Sequence, residues 1–379
     1  MKLVINHELQ CNNIQLFIKH KTPTLSYSAL PYSVILMRIS YITFITTLML
    51  SSYSITSNAS ANTCSTTYDM KFVRSQIQKI KGTAGELSPS AMQHVHTEGL
   101  LPGQGIHDQS IQAEKDLKLM QVSAVAWKNG MGDEWLDAAK KYLFAWVGTY
   151  QPNFNPIDET AFDQMIQTYS IVKPKLSEEE RRNINKYFYD WASEYISQMN
   201  NAPNKSTWTN NWQSHRVKLI TLMAVATRND HLFAESRRLF QEQINVNIDS
   251  DGETLDFKQR DAIHYVVYDL QPLVQAALAA QKMGEDWYHW TAPDGASLAK
   301  AVSWLTPYVN GEQTHNEFVN SRVKFDAVRK QDGIKGFNGL FRPEMAKELY
   351  WGASAFESTL MPLAQKLSPT PPLFMDWCN

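Results

Sequence analysis

The sequence predicts an all-α fold, a toroid or barrel of antiparallel helical hairpins. Three observations lead there. From about Ser110 onward, apolar residues recur at helical spacing in nearly every segment. The links between those segments are short and carry Pro, Asn and Gly. Alternating strand patterns are scarce, and the rhythm is helix, short loop, helix without a strict repeat. Many helical pairs in one chain of this size favour a toroid; a superhelical solenoid would show a clearer period.

Taken in order, "SIQAEKDLKLMQVSAVAWKNG" predicts a helix that stops at Gly130. In "DEWLDAAKKYLFAWVGTY", Trp135, Leu136, Ala139, Leu143 and Trp146 share one face. "LSEEERRNINKYFYDWASEYISQM" opens with a Ser cap and an acidic first turn. Further helices are expected at about 158–172, 211–228, 230–246, 260–282, 296–309 and 343–366. "INVNIDSDGETLDF" is the main irregular insert.

Composition bounds the function. Hydrophobic residues make up 43% of 379 residues, enough for a substantial core. The formal net charge of -2 gives no basic field for a nucleic-acid partner. Eleven Trp, 16 Tyr and 16 Phe suit a large core and also platforms for sugar rings. "MRISYITFITTLMLSSYSITSNASA" begins at Met37 with one Arg, an apolar run too short to span a membrane, and Ala59-Ser60-Ala61. Residues 1–61 are therefore expected to be an N-terminal extension plus a signal peptide, with Met37 as the start. Residues 62–379 are then a single periplasmic or secreted domain, with no membrane span after cleavage, expected as a monomer. Cleavage leaves Cys64 and Cys378, a candidate disulfide between the two ends of the mature chain.

The densest chemistry lies in "DFKQRDAIHYVVYDLQPLVQAALAA". Wound as one helix, Ile263, Val266, Val267, Leu270, Leu273 and Val274 take one arc. Arg260, Asp261, His264, Tyr265 and Tyr268 take another, which is either buried against a polar interior or lines a cleft. A second cluster, "STWTNNWQSHRVKL", places Asn210 as a helix cap and Asn211 and His215 four apart on one face. A third, "HVHTEGLLPGQGIHDQS", holds His94, His96 and His107 at no recognised metal-ligand spacing. Its Gly103-Gln104-Gly105 turn brings Gln104 to a ligand or is an ordinary surface loop. A nucleophile elbow, a P-loop and a dinucleotide fingerprint are all absent. Of Asp251, Glu253, Asp256, Asp261 and Asp269, no pair stands out for glycoside hydrolysis.

Asn, His, Arg and Tyr together suit β-elimination in a uronic-acid polymer. Removing the C5 proton builds negative charge on the adjacent carboxylate, which Asn, Arg or protonated His neutralises. Tyr and His can take the C5 proton and protonate O4 without a metal or other cofactor.

"NNWQSHR", followed some fifty residues later by "RDAIHYVVYDLQPL", resembles the alginate lyase superfamily. The likeness is greatest to the polysaccharide lyase family 38 branch of alginate and glucuronan lyases, and more distant to alginate lyase family 5. It runs from roughly Glu98 to Leu363. The resemblance implies an exported (α/α) toroid acting on an anionic polysaccharide. It implies Asn211 and Arg260 as carboxylate neutralisers, His215 as base or carboxylate partner, and Tyr265 as acid, or as both acid and base. It places His264, Tyr268, Arg216, Trp208, Asn210 and Gln104 along the groove. Family 5 has His where Trp212 stands, and Asp261 and Ala262 separate Arg260 from Ile263. His215 and His264 therefore both qualify as the working histidine. Two other readings are an aspartate-dependent toroid hydrolase using Asp251 and Asp261, and a noncatalytic glycan-binding protein.

Overall fold

A computed structural model describes residues 68, 70–84, 88–202 and 204–378; all lie in one unit, Asn58–Asn379. The expected signal peptide and Cys64 lie outside the described residues. Cys378 is disulfide-bonded.

The described residues form helices and loops, with three isolated β-bridges and no strand. In order, the helices are α1 Met70–Ala84, α2 His107–Ala113, α3 Lys115–Lys128, α4 Asp133–Thr149, α5 Asp163–Val172, α6 Glu178–Asn201 and α7 Asn211–Thr227. Then follow α8 Asp230–Asn247, α9 Leu255–Arg260, α10 Ile263–Gln281, α11 Leu298–Asn310, α12 Lys324–Gln331, α13 Lys347–Ala353 and α14 Met361–Leu367. Helices α3, α5, α7, α10 and α13 pack side by side as an inner layer. Helices α4, α6, α8, α11 and α14 back them from outside. This is the helical toroid that the periodicity predicts.

Sequence decides the layer. On α7, 15 of 17 residues are buried, and on α10, 15 of 19. On α6 only 7 of 24 are. A helix apolar all round needs neighbours all round, whereas an amphipathic one needs a single covered face. The long α6 also carries the predicted cap: Ser177 and Glu180 form a reciprocal capping box.

Three expected helices are broken. The one ending near Gly130 is two, divided at Glu114. The one over 343–366 is divided into α13 and α14, each preceded by a 3-10 turn. The one over 260–282 begins only at Ile263, because Asp261 turns left-handed (φ 48°) and ends α9. That break is held from a distance. The Glu317 carboxylate accepts the Ile263 and His264 amides at 2.9 and 3.0 Å, capping α10. The Asp261 carboxylate accepts the Asn320 amide at 2.8 Å. No local propensity announces partners more than fifty residues away.

The inner helices are tied by buried polar groups. Asp269, on α10 next to Tyr268, accepts Ser214 Oγ of α7 at 2.6 Å and Asn247 Nδ2 of α8. Burial, reinforced by Asp256, holds its carboxyl well above the usual range. Three helices are thereby fixed in register directly beneath Tyr268.

Candidate active site

A cleft of about 560 Å³ opens at the N-terminal ends of α7 and α10. Asn211 and Trp212 come from α7, Arg260 from the end of α9, and His264, Tyr265 and Tyr268 from α10. Arg329 on α12, Phe325 and Phe337 close one side, and the Thr97–Pro102 loop with His107 closes the other. That loop is pinned by buried Asp158, which accepts the Thr97 and Glu98 amides at 2.8 Å and bonds His96 Nδ1 at 2.8 Å.

A chain of charges runs beneath the cleft. Asp256 accepts the Asn211 amide at 2.7 Å and its side-chain Nδ2 as well. An amide nitrogen carries two hydrogens, so Nδ2 keeps one for a ligand. Burial lifts the Asp256 carboxyl to about 6, against the opposing pull of Asn211 and Arg260. Arg260 bonds Asp326 through Nη1, and Asp326 also accepts Ser321 Oγ at 2.7 Å. Arg329 lies 3.8 Å from Asp326 and donates to the Tyr265 hydroxyl at 3.0 Å. The Arg260 guanidinium lies over the Tyr265 ring, 3.9 Å from its centre. Both arginines are thus held by fixed acceptors and aimed at one phenol.

The two tyrosines differ in environment. Tyr265 is 8% exposed, and burial raises its phenol while Arg260 and Arg329 pull it down. Tyr268 is half-buried, with its ring 6.0 Å from that of Tyr265. Burial and the neighbouring Tyr265 push its phenol well above the ordinary range. His264 sits among Tyr265, Phe318 and Phe337, and its Nδ1 has no hydrogen-bond partner. Burial, with help from the two arginines, lowers it to about 4, so it is neutral at ordinary pH. The arrangement can hold a carboxylate, supply two phenols of unequal acidity and present a neutral imidazole.

The alginate lyase family model matches residues 56–315, about two-thirds of the chain. The chain belongs to the alginate lyase family. It is a polysaccharide lyase, and the family implies a polyuronate substrate. An alginate lyase from Bacteroides ovatus has the same fold at a TM-score of 0.57 and 16% identity, over 79% of this chain and 90% of that one. Alginate lyase A1-III, from Sphingomonas species A1, is similar as a tyrosine-to-phenylalanine variant complexed with tetrasaccharide. There the TM-score is 0.50 at 15% identity, over 71% of this chain and 80% of that one. No curated protein matches the chain.

In this lyase the two histidines are not equivalent. His264 lines the cleft; His215 does not. His215 is 3% exposed, and its ring packs 4.4 Å from that of Tyr268. Its Nδ1 is 2.6 Å from Thr160 Oγ1, which also accepts Lys218 Nζ at 3.0 Å. Burial and Lys218 drive His215 well below the usual imidazole range, which favours its neutral form. The expected role as base or carboxylate partner does not fit this position: His215 is buried, is not among the residues lining the cleft, and packs its ring against Tyr268. It supports Tyr268 from behind. His215→Ala is expected to reduce kcat by roughly tenfold, through misplacement of Tyr268 rather than loss of a proton acceptor. Parallel kinetics and thermal melts check this; abolished turnover in a variant as stable as the wild type would restore a direct role.

Four other groove expectations are corrected. Gln104 is exposed and turns back to accept the Leu101 amide at 3.0 Å, bracing its own turn. Asn210 caps α7 by accepting the Trp212 amide at 3.1 Å. Arg216 is buried, donates to the Thr207 carbonyl and lies over the Trp208 ring at 4.0 Å. Trp208 in turn donates its indole N–H to the Ala202 carbonyl. None of the four lines the cleft; Asn210, Arg216 and Trp208, which the resemblance places along the groove, are spent on capping and bracing the start of α7. Conversely, Arg329, Glu98 and Trp212 line it and were missed. Glu98 lies in a stretch singled out for its histidines and glycines, while Arg329 sits in "FDAVRKQDG", which looks like an ordinary solvated helix. Among the described residues, no group of three or more His, Cys, Asp and Glu could hold a metal.

Proposed function

We propose that this lyase cuts alginate, or a related polyuronate, by metal-independent β-elimination, leaving 4,5-unsaturated oligouronates. The observation that carries the reading is one cleft in which a cationic wall meets two phenols. Asn211, Arg260 and Arg329 neutralise the carboxylate as charge builds on it. Tyr265, with two guanidinium groups favouring its phenolate, takes the C5 proton. Tyr268, pushed further up, keeps its proton and delivers it to O4; neighbouring groups with diverging acidities divide the work in this way. His264 orients the sugar as a neutral partner.

Both phenols project from one turn of α10, so proton removal and leaving-group protonation come from the same side. That suits mannuronate or glucuronate units, where the C5 hydrogen and O4 lie on one face of the ring. A complex of a tyrosine-to-phenylalanine variant with tetrasaccharide in a relative of the same fold is consistent with a phenol needed for turnover more than for binding. A hydrolase reading is disfavoured because it requires two carboxyls flanking the bond, and Glu98 is the one carboxylate among the residues lining the cleft. Export follows from the Met37–Ala61 layout.

The deciding experiment follows ultraviolet absorbance of the mature protein on mannuronate-rich alginate, guluronate-rich alginate and glucuronan. The conjugated double bond is expected with the first or third substrate at a higher rate than with the second. Reducing ends without absorbance would show a hydrolase, and neither product a binding protein.

A further inference from the structure

The C-terminal ends of α3, α5 and α10 meet away from the cleft. There a second cavity of about 410 Å³ lies between Trp127 and Lys128 at the end of α3, Ser170 on α5, Lys282 after α10, and Asp376 and Trp377 of the C-terminal segment. Helix α10 links the two sites: its 19 residues span about 28 Å, with Tyr265 and Tyr268 near one end and Lys282 at the other.

Charge in this cavity is unbalanced. Lys128 is paired with buried Asp376 at 2.9 Å. Lys282 has no carboxylate partner among the described residues, and its ammonium lies over the Trp377 ring at 5.8 Å. Burial disfavours its charge most, Lys128 and Arg228 add to the positive field around it, and Asp376 alone opposes them. The carbonyl ends of α3, α7 and α10 attract cations here, which accounts for the lysines. It does not account for a cavity walled by two indoles with a spare ammonium at its edge.

We propose that this cavity is a second, noncatalytic binding site for a uronate unit of the polymer. The carboxylate is taken by Lys282, and the apolar face of the sugar ring by Trp127. An indole and an ammonium lining one cavity fit an anionic pyranose, which offers a C–H face and one charge. The ligand class rests on the polyuronate reading of the cleft. A polymer long enough to reach both ends of α10 would be held twice, and the linked contact raises apparent affinity without touching the chemistry.

The test compares the wild-type mature chain with Lys282→Glu and Trp127→Ala on long alginate and on a tetrasaccharide-length oligouronate. Both variants are expected to raise KM on the long polymer by at least about tenfold, with kcat on both substrates and KM on the short one unchanged. Unchanged KM on the polymer would overturn the proposal, and so would an equal loss on both substrates. Calorimetric titration with the oligouronate reads the cavity even if the cleft yields no unsaturated product: two sites are expected in the wild type and one in Lys282→Glu. One site in both, or a Lys282→Glu defect confined to binding a single-stranded oligonucleotide, would also sink it.

Discussion

Tyr265→Phe and Tyr268→Phe are each expected to lower kcat by about 10²–10⁴-fold, the range for a positioned proton-transfer group, with KM changed little. Each substitution removes one oxygen and leaves a ring in place. The Tyr265 ring still meets the Arg260 guanidinium, stacked at 3.9 Å, and the Tyr268 ring still packs on His215 at 4.4 Å. Polymer binding by the carboxylate wall is therefore preserved, and steady-state kinetics beside equilibrium binding separate the two effects. The double variant is expected to be no worse than the poorer single one, since groups serving one transition state are not additive. If Tyr265→Phe retains most of the activity while Tyr268→Phe is dead, Tyr268 performs both transfers and the division of labour proposed here is wrong.

Arg329→Ala has the second large effect, a loss of about 10²–10³-fold in kcat, the size expected for one preorganised donor. It also carries a signature in pH. Burial holds the Tyr265 phenol above its ordinary value, and Arg260 and Arg329 are the two groups that oppose this. Removing one raises the phenol further, so the ionised base appears only at higher pH. The rising limb of kcat/KM against pH should shift toward alkali in Arg329→Ala and shift less in Arg329→Lys, which keeps the charge but not the planar fork. A limb that stays where it was would show that Tyr265 does not ionise in catalysis. Arg260 is the less clean target, because it also faces Asp256 at 3.8 Å and bonds Asp326. Its loss leaves two buried carboxylates short of a counter-charge.

The all-helical toroid was legible because apolar residues recur at helical spacing in nearly every segment and the links are short. So was the wall formed by Asn211, Arg260, His264, Tyr265 and Tyr268, since two compact motifs hold all five. Depth was not legible. Asn211 and His215 share a face, yet one further turn along α7 leads from the cleft into the interior, and spacing along a helix cannot tell mouth from core. Partners from distant loops were not legible either. Glu317 caps α10 from 54 residues away at Ile263, and Arg329 reaches Tyr265 across 64. Nothing near α10 in sequence signals their arrival.

The left-handed turn at Asp261 has a consequence for how such an enzyme can diverge. In an unbroken helix, Arg260 would be geared to the two phenols, and any change of length would turn all three together. Here the guanidinium belongs to α9, a six-residue helix of its own, seated on Asp326 and beside Asp256. Adding one residue to α9 would swing it by about 100° and leave Tyr265 and Tyr268 where they are. The spacing between charge clamp and proton donor is thereby an adjustable gauge: descendants could be refitted to another uronate by changes of length in α9.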